Sequence, residues 1–288
     1  MATADVRVEA GRVTGPKGTG FFWREWSTPG ARPKTVALFV HGMGEHSGRY
    51  EDLGRYFASR GMPVFAFDLR GFGQSGGTRG HVDRFQDYVD DVLFFREMVG
   101  TRHPGAKVVL IGHSLGGLIA LATAARHGDR FAAVTVSGPP LRLALEVPGW
   151  KATLGKILSG IAPKFAMTNE LDPGDLARNP EVGRKYVADP LVERKVTARF
   201  FISLTEGMAE TAASAASVRI PACIMHGTAD RLTHFEGSRL FYDGLGDIPK
   251  ALKLWDGFYH ELFQEDEKED VFREVLSFLV DQGLVAAA

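Results

Sequence analysis

The pentapeptide Gly112-His-Ser-Leu-Gly116 stands between a β-branched run, Lys107–Ile111, and an Ala/Leu-rich run, Leu118–Ala125. The first run reads as a buried strand and the second as a buried helix. A serine on so sharp a strand-to-helix turn is held in a strained backbone conformation, and Gly112 and Gly116 lack the Cβ atoms that would block the turn. The turn lifts the hydroxyl above the sheet edge and aims the free N–H groups of the next helix at whatever that hydroxyl attacks. Ser114 is therefore the candidate nucleophile.

The rest of the chain repeats the alternation. Val6–Val13 and Gly20–Ser27 read as an antiparallel pair at the start of a sheet. Thr35–Val40, Pro63–Phe67, Val108–Ile111 and Ala132–Val136 read as strands, with helices over Tyr50–Arg60 and Phe85–Arg102 between them. The apolar runs are short and continuous, the pattern of strands covered on both faces of a parallel sheet. The rhythm breaks at Pro139-Pro140. To about Ser217 the sequence carries amphipathic helical segments, including Leu141–Leu145 and Trp150–Ile161, interrupted by five prolines and without a convincing strand. It resumes with strands at Ile220–Met225 and Ala251–Trp255 and helices at Phe235–Tyr242 and Val271–Val280. The expected organisation is an α/β core, 1–138 and 218–288, with a helical cap, 139–217, inserted into it. A length of 288 residues suits one large core with such an insertion.

A serine hydroxyl needs a base, and the base needs an orienting carboxylate. In a doubly wound sheet both come from loops at the C-terminal ends of later strands. Ile224-Met-His-Gly-Thr-Ala-Asp230 and Leu254-Trp-Asp-Gly-Phe-Tyr-His260 supply Asp230 and His260, in the chain order serine, acid, histidine. Asp256 is the reserve acid. His234 is the rival base, but it comes too early in that order. His103 and His127 read as surface residues, and His113 and His226 as packing or loop-ordering ones. The backbone N–H groups of Met43, after the strand Thr35–Val40, and Leu115 are the expected oxyanion hole.

Gly71-Phe-Gly-Gln-Ser-Gly76 matches a dinucleotide-binding pattern, but loop continues past Gly76 where a helix would have to begin. No Cys/His cluster or His-Glu-X-X-His occurs, so neither a metal nor a cofactor is expected. A net charge of −1, from 34 basic and 35 acidic residues, provides no field for nucleic acid. The acidic stretch Glu265–Asp270 reads as a solvated first turn of the last helix. The single cysteine, Cys223, reads as a buried strand thiol. No basic-then-apolar leader and no membrane-spanning run is present, so the expectation is a soluble cytoplasmic protein. The sequence does not decide the oligomeric state.

On these residues the chain resembles the α/β-hydrolase superfamily, and within it the monoacylglycerol lipase and lysophospholipase branch. The resemblance spans about Thr35 to Phe278. It is carried most specifically by His41-Gly-Met-Gly-Glu-His-Ser-Gly-Arg-Tyr50, with Asp68–Gly77, Gly112–Gly117, Asp189-Pro-Leu191 and Gly227–Leu232 matching in order. It implies hydrolysis of a small-molecule monoacyl ester beneath a lid-like cap. It also implies a polar chamber for the alcohol end lined by Glu45, Arg49 and Tyr186, where the alternative for Glu45 and Arg49 is a loop-stabilising ion pair. Phe263, three residues past His260, stands where a polar histidine is common and opens the chamber to a less polar alcohol. The cap segment Leu141–Phe165 either docks on membranes or micelles or packs on its own core. Other serine chemistry on the same fold (acyl transfer, thioester or amide hydrolysis) and a non-catalytic ligand-binding homologue are the competing functions.

Overall fold

The structure is a computed structural model that describes residues 5–30, 32–144, 149–169 and 171–286. Ten strands and eight α-helices are assigned among them. β1 (Arg7–Thr14) and β2 (Gly20–Ser27) form an antiparallel pair. β3 (Thr35–Val40), α1 (Glu51–Ala58), β4 (Val64–Phe67), α2 (Gln86–Arg102), β5 (Lys107–His113), α3 (Leu115–His127) and β6 (Ala133–Ser137) follow. After the inserted segment come β9 (Ala222–Gly227), α7 (Phe235–Gly244), β10 (Lys250–Trp255) and α8 (Lys268–Asp281). The main sheet has the order β1-β2-β4-β3-β5-β6-β9-β10, and every pairing from β4 through β10 is parallel.

Burial on both faces explains the unbroken apolar strands. In β3 the side chains of Val36, Leu38 and Val40 join the core beneath α2 and α3, whereas Ala37 and Phe39 join the core beneath α1 and α8. A strand with both sets covered has no polar face to show as alternation. From β3 the chain crosses one way to β4, and from β5 it crosses the other way to β6. The crevice at the carboxyl ends of β3 and β5 is therefore the topological switch point, where such sheets place their ligands.

The inserted segment enters between two strands that pair directly, with Val134 of β6 opposite Ala222 of β9. It contains α4 (Gly149–Ile161), β7 (Ala166–Thr168), α5 (Pro180–Ala188), β8 (Lys195–Thr197) and α6 (Ala198–Ala212). Proline marks boundaries rather than kinks: Pro180 opens α5 behind the Asn179 side-chain cap, and Pro190 follows its end. Three expectations are corrected. First, the segment does hold strands: β7 and β8 form a short antiparallel ribbon, each too short to show a two-residue period. Second, residues 141–144 are not helical. Their backbone is engaged by the loop at 232–234, with a bridge between Leu143 and Thr233, Ala144 N donating to Leu232 O and His234 N donating to Arg142 O. Residues 145–148 lie outside the described part. Third, Glu265 is buried, not solvated, and accepts from Arg178 and from the Tyr259 N–H. Its neighbours Asp266, Glu267, Glu269 and Asp270 are exposed.

Candidate active site

Ser114 sits on the turn from β5 to α3 with φ 51° and ψ −120°, a positive φ shared by only one other non-glycine residue among those described. Neighbouring backbone leaves no freedom there. A Cβ on Gly112 would stand 2.3 Å from Gly116 O, and one on Gly116 would stand 2.1 Å from Val40 O. The serine N–H donates to Ser137 O on β6, and its carbonyl accepts from Leu118 N in the first turn of α3. Strain of about 1–3 kcal/mol is thus held by the helix and two strands together.

Two later loops converge on this hydroxyl. Ser114 Oγ lies 2.9 Å from His260 Nε2, and His260 Nδ1 lies 2.7 Å from Asp230 Oδ2. Asp230 is fixed from all sides. Its Oδ1 accepts from the N–H groups of Leu232 and Thr233, and its Oδ2 accepts from Thr233 Oγ1 and faces His226 Nε2 at 3.2 Å. Burial acts against the charged form of Asp230, but the adjacent His260 and His226 and their hydrogen bonds outweigh it and hold the carboxyl well below its usual range. For His260 the balance runs the same way. Burial disfavours the imidazolium, yet the Asp230 carboxylate, with Glu261 and Glu45 beyond it, raises the imidazole above its ordinary value. His113, whose ring centre is 5.0 Å from that of His260, is pushed down to about 3 by burial and by His260, so it stays neutral at physiological pH.

The competing residues are occupied elsewhere. His234 caps α7 by accepting from Glu236 N. Asp256 is exposed and accepts from Thr228 Oγ1. His226 is buried and bonded to Ser238 and the Thr233 loop. His103 is half-buried, its Nε2 2.8 Å from buried Glu25. Cys223 is buried, and burial pushes its thiol up to about 12. The glycine run at 71–76 wraps the Asp68 carboxylate, which accepts from Ser47 N, Ser47 Oγ and Gln74 N and so ties that loop to the loop after β3.

The loop after β3 is braced from behind. Leu69 N donates to His41 Nε2, and Gly42 N donates to Glu45 Oε1 at 2.6 Å. The Met43 N–H has no acceptor among the described residues, and Leu115 is the first residue of α3, whose N–H has no partner within the helix. Both residues line a cavity of about 200 Å3 together with Ser114 and His260.

The lining combines apolar residues, Leu143, Leu171, Leu176, Leu204 and Leu232, with the polar residues Glu45, Tyr186, Asn169 and Glu261. Two expected binding residues do not line it. Arg49 lies behind Glu45, bonded to Glu45 and to both oxygens of Glu261, with its guanidinium 5.1 Å from the centre of the Tyr186 ring. Phe263 is buried among Phe39, Tyr50, His113 and Phe272, because the 3-10 turn Leu262–Gln264 directs it into the core. The residue missed from the sequence is Glu261. Its signal was available: a carboxylate directly after His260 and directly before the apolar pair Leu262-Phe263.

The family model described as serine aminopeptidase, S33 (Hydrolase_4) matches residues 31–267. The monoacylglycerol lipase of Mycolicibacterium smegmatis is 36% identical over 260 residues, covering 88% of this chain and 90% of that protein. Human monoglyceride lipase is 34% identical over 265 residues, covering 90% of this chain and 86% of that protein. The crystal structure of Paleococcus ferrophilus monoacylglycerol lipase superposes with a TM-score of 0.82 at 30% identity, covering 96% of this chain and 99% of that one. The chain belongs to the α/β-hydrolase superfamily, in the serine aminopeptidase S33 family and on its monoacylglycerol-lipase-like branch.

Proposed function

We propose that this chain is a carboxylic ester hydrolase that cleaves monoacylglycerols or similar monoacyl esters through an acyl-enzyme on Ser114. The observation that carries this is the continuous chain from Asp230 Oδ2 through both nitrogens of His260 to Ser114 Oγ, opening on a cavity lined by both leucines and carboxylates. Ser114 Oγ attacks the ester carbonyl as His260 Nε2 takes its proton; His260 then gives that proton to the leaving alcohol oxygen. Water, deprotonated by the same nitrogen, attacks the acyl-enzyme and releases the acid. Asp230 holds the tautomer with a proton on Nδ1 and stabilises the imidazolium. The N–H groups of Met43 and Leu115 receive the tetrahedral oxyanion. The leucines of the lining accommodate the acyl chain, and Glu45 and Tyr186 the alcohol. Arg49 acts as a loop-stabilising partner of Glu45 rather than a chamber wall.

The segment 139–217 serves as the cap over this cavity, and its outer face contacts the lipid surface that supplies substrate. Leu154, Ile157 and Ile161 are exposed at helical spacing on α4, and Phe165 and Met167 extend the exposed apolar surface just beyond it. Among the described residues no helix is long and apolar enough to cross a membrane. The direct test of the activity is Ser114→Ala, assayed on a p-nitrophenyl ester and on a monoacylglycerol. A folded variant slowed by about 10⁴-fold or more is expected; full turnover would remove the proposal.

A further inference from the structure

Two of the residues that line the cavity, Glu45 and Glu261, are carboxylates that share one cation. Arg49 is a single cation between two carboxylates, Glu45 at 2.5 Å and Glu261, whose oxygens lie 2.7 and 2.8 Å from Nη1 and Nη2. Glu45 and Glu261 are 2% and 3% exposed, so solvent does little to screen them. Both line the cavity, whereas the guanidinium does not, and no other Lys or Arg does so among the described residues. Glu45 and Arg49 alone would cancel; Glu261 is the carboxylate that leaves the trio at −1. Tyr186 and Asn169 line the same cavity, and the Tyr186 hydroxyl and Asn169 Nδ2 are buried with no hydrogen-bond partner among the described residues.

We propose that Glu261 is a specificity-determining residue, restricting the alcohol end of the substrate to neutral, hydroxyl-bearing groups and turning away monoacyl esters that carry a phosphate or carboxylate there. The inference rests on the ester-hydrolase function proposed above. A free hydroxyl donates to spare carboxylate lone pairs and accepts from Tyr186 or Asn169, so both kinds of unmet group are satisfied at once. An anionic group gains the same donors but meets the surplus Glu261 carboxylate where charges interact far more strongly than in water, and no Lys or Arg lines the cavity among the described residues to offset it. The same charge serves the chemistry, because it lies next to the imidazole that becomes positive when Ser114 attacks.

The test compares 1-acylglycerol with 1-acylglycerol-3-phosphate of the same acyl chain, each dispersed in non-ionic detergent micelles. For the unmodified enzyme, kcat/KM is expected to favour the neutral ester by about 100-fold. Glu261→Gln keeps the size and an acceptor oxygen for Arg49 but removes the surplus charge; it is expected to narrow the preference by about tenfold, chiefly by lowering KM for the phosphate ester. Glu261→Asp keeps the charge and is expected to retain the preference. An unmodified enzyme that cleaves the two esters within about threefold of each other overturns the proposal, as does a folded Glu261→Gln with an unchanged ratio. Should neither variant fold, the ratio for the unmodified enzyme decides alone. Failure to cleave either ester, or p-nitrophenyl butyrate, would instead overturn the hydrolase function itself.

Discussion

At the scale of single residues the site is a balance between burial and charge. Burial pushes His260 toward the neutral form, and Asp230 at 2.7 Å pushes it back past its ordinary value. The base must be neutral to accept the serine proton, so ester hydrolysis is expected to fall as pH drops through the raised value. The acid limb of kcat/KM then lies above the value of about 6.5 usual for histidine. Asp230→Asn removes the charge that raises it. That variant is expected to move the limb to lower pH and to slow the plateau by about 10⁴-fold, because the amide also disturbs the imidazole tautomer. A pH profile on a soluble ester checks both effects; an acid limb that stays in place in Asp230→Asn would show that the carboxylate does not set the base. The meeting of these three side chains was legible in the sequence because strand-end loops in a fixed chain order constrain them strongly. Phe263 and Arg49 were not, since their directions depend on a 3-10 turn and on a partner, Glu261, that lies 212 positions further along the chain.

At the scale of elements, the inserted segment grips the loop that carries Met43. Glu193 N donates to Gly44 O at 2.7 Å, and Asp189 Oδ2 lies 2.8 Å from His46 Nε2. Burial works against the charged Asp189, but the hydrogen bonds from His46 and the Leu191 N–H hold its carboxyl below the ordinary range. Asp189→Ala is expected to cost about 1–2 kcal/mol of stability and to speed proteolytic cleavage within 139–217. Unchanged melting and cleavage would show that the grip is dispensable. The exposed apolar residues of α4 make a separate prediction. Ile161, 77% exposed, is the most prominent member of its apolar stripe, and Ile161→Glu is expected to reduce co-sedimentation with phospholipid vesicles while soluble-ester turnover persists. Equal sedimentation would place lipid contact elsewhere. The core elements were readable because two-sided burial writes continuous apolar runs. The insertion was readable as an interruption, but β7 and β8, at three residues each, leave no period to detect, and residues 141–144 follow a tertiary strap rather than their own helical spacing.

At the scale of the whole molecule, the sheet order brings distant parts of the chain to one rim. Ser114 and the Met43 loop follow adjacent strands, β5 and β3, whereas Asp230 and His260 follow β9 and β10, which come after the segment inserted behind β6. The cavity therefore has a floor built by the sheet and walls built partly by the insertion, with Leu143, Leu171, Leu176, Tyr186 and Leu204 all drawn from it. This division explains what the sequence revealed. Side chains tied to strand ends could be placed residue by residue, whereas the lining of the cavity depends also on residues of the insertion.

The most direct measurement is covalent labelling with a fluorophosphonate followed by peptide mass mapping. The expected result is a single adduct on Ser114, formed rapidly in the unmodified protein and lost in a folded His260→Ala variant. An adduct on another residue, or ester hydrolysis that continues in protein that never becomes labelled at Ser114, would contradict the account.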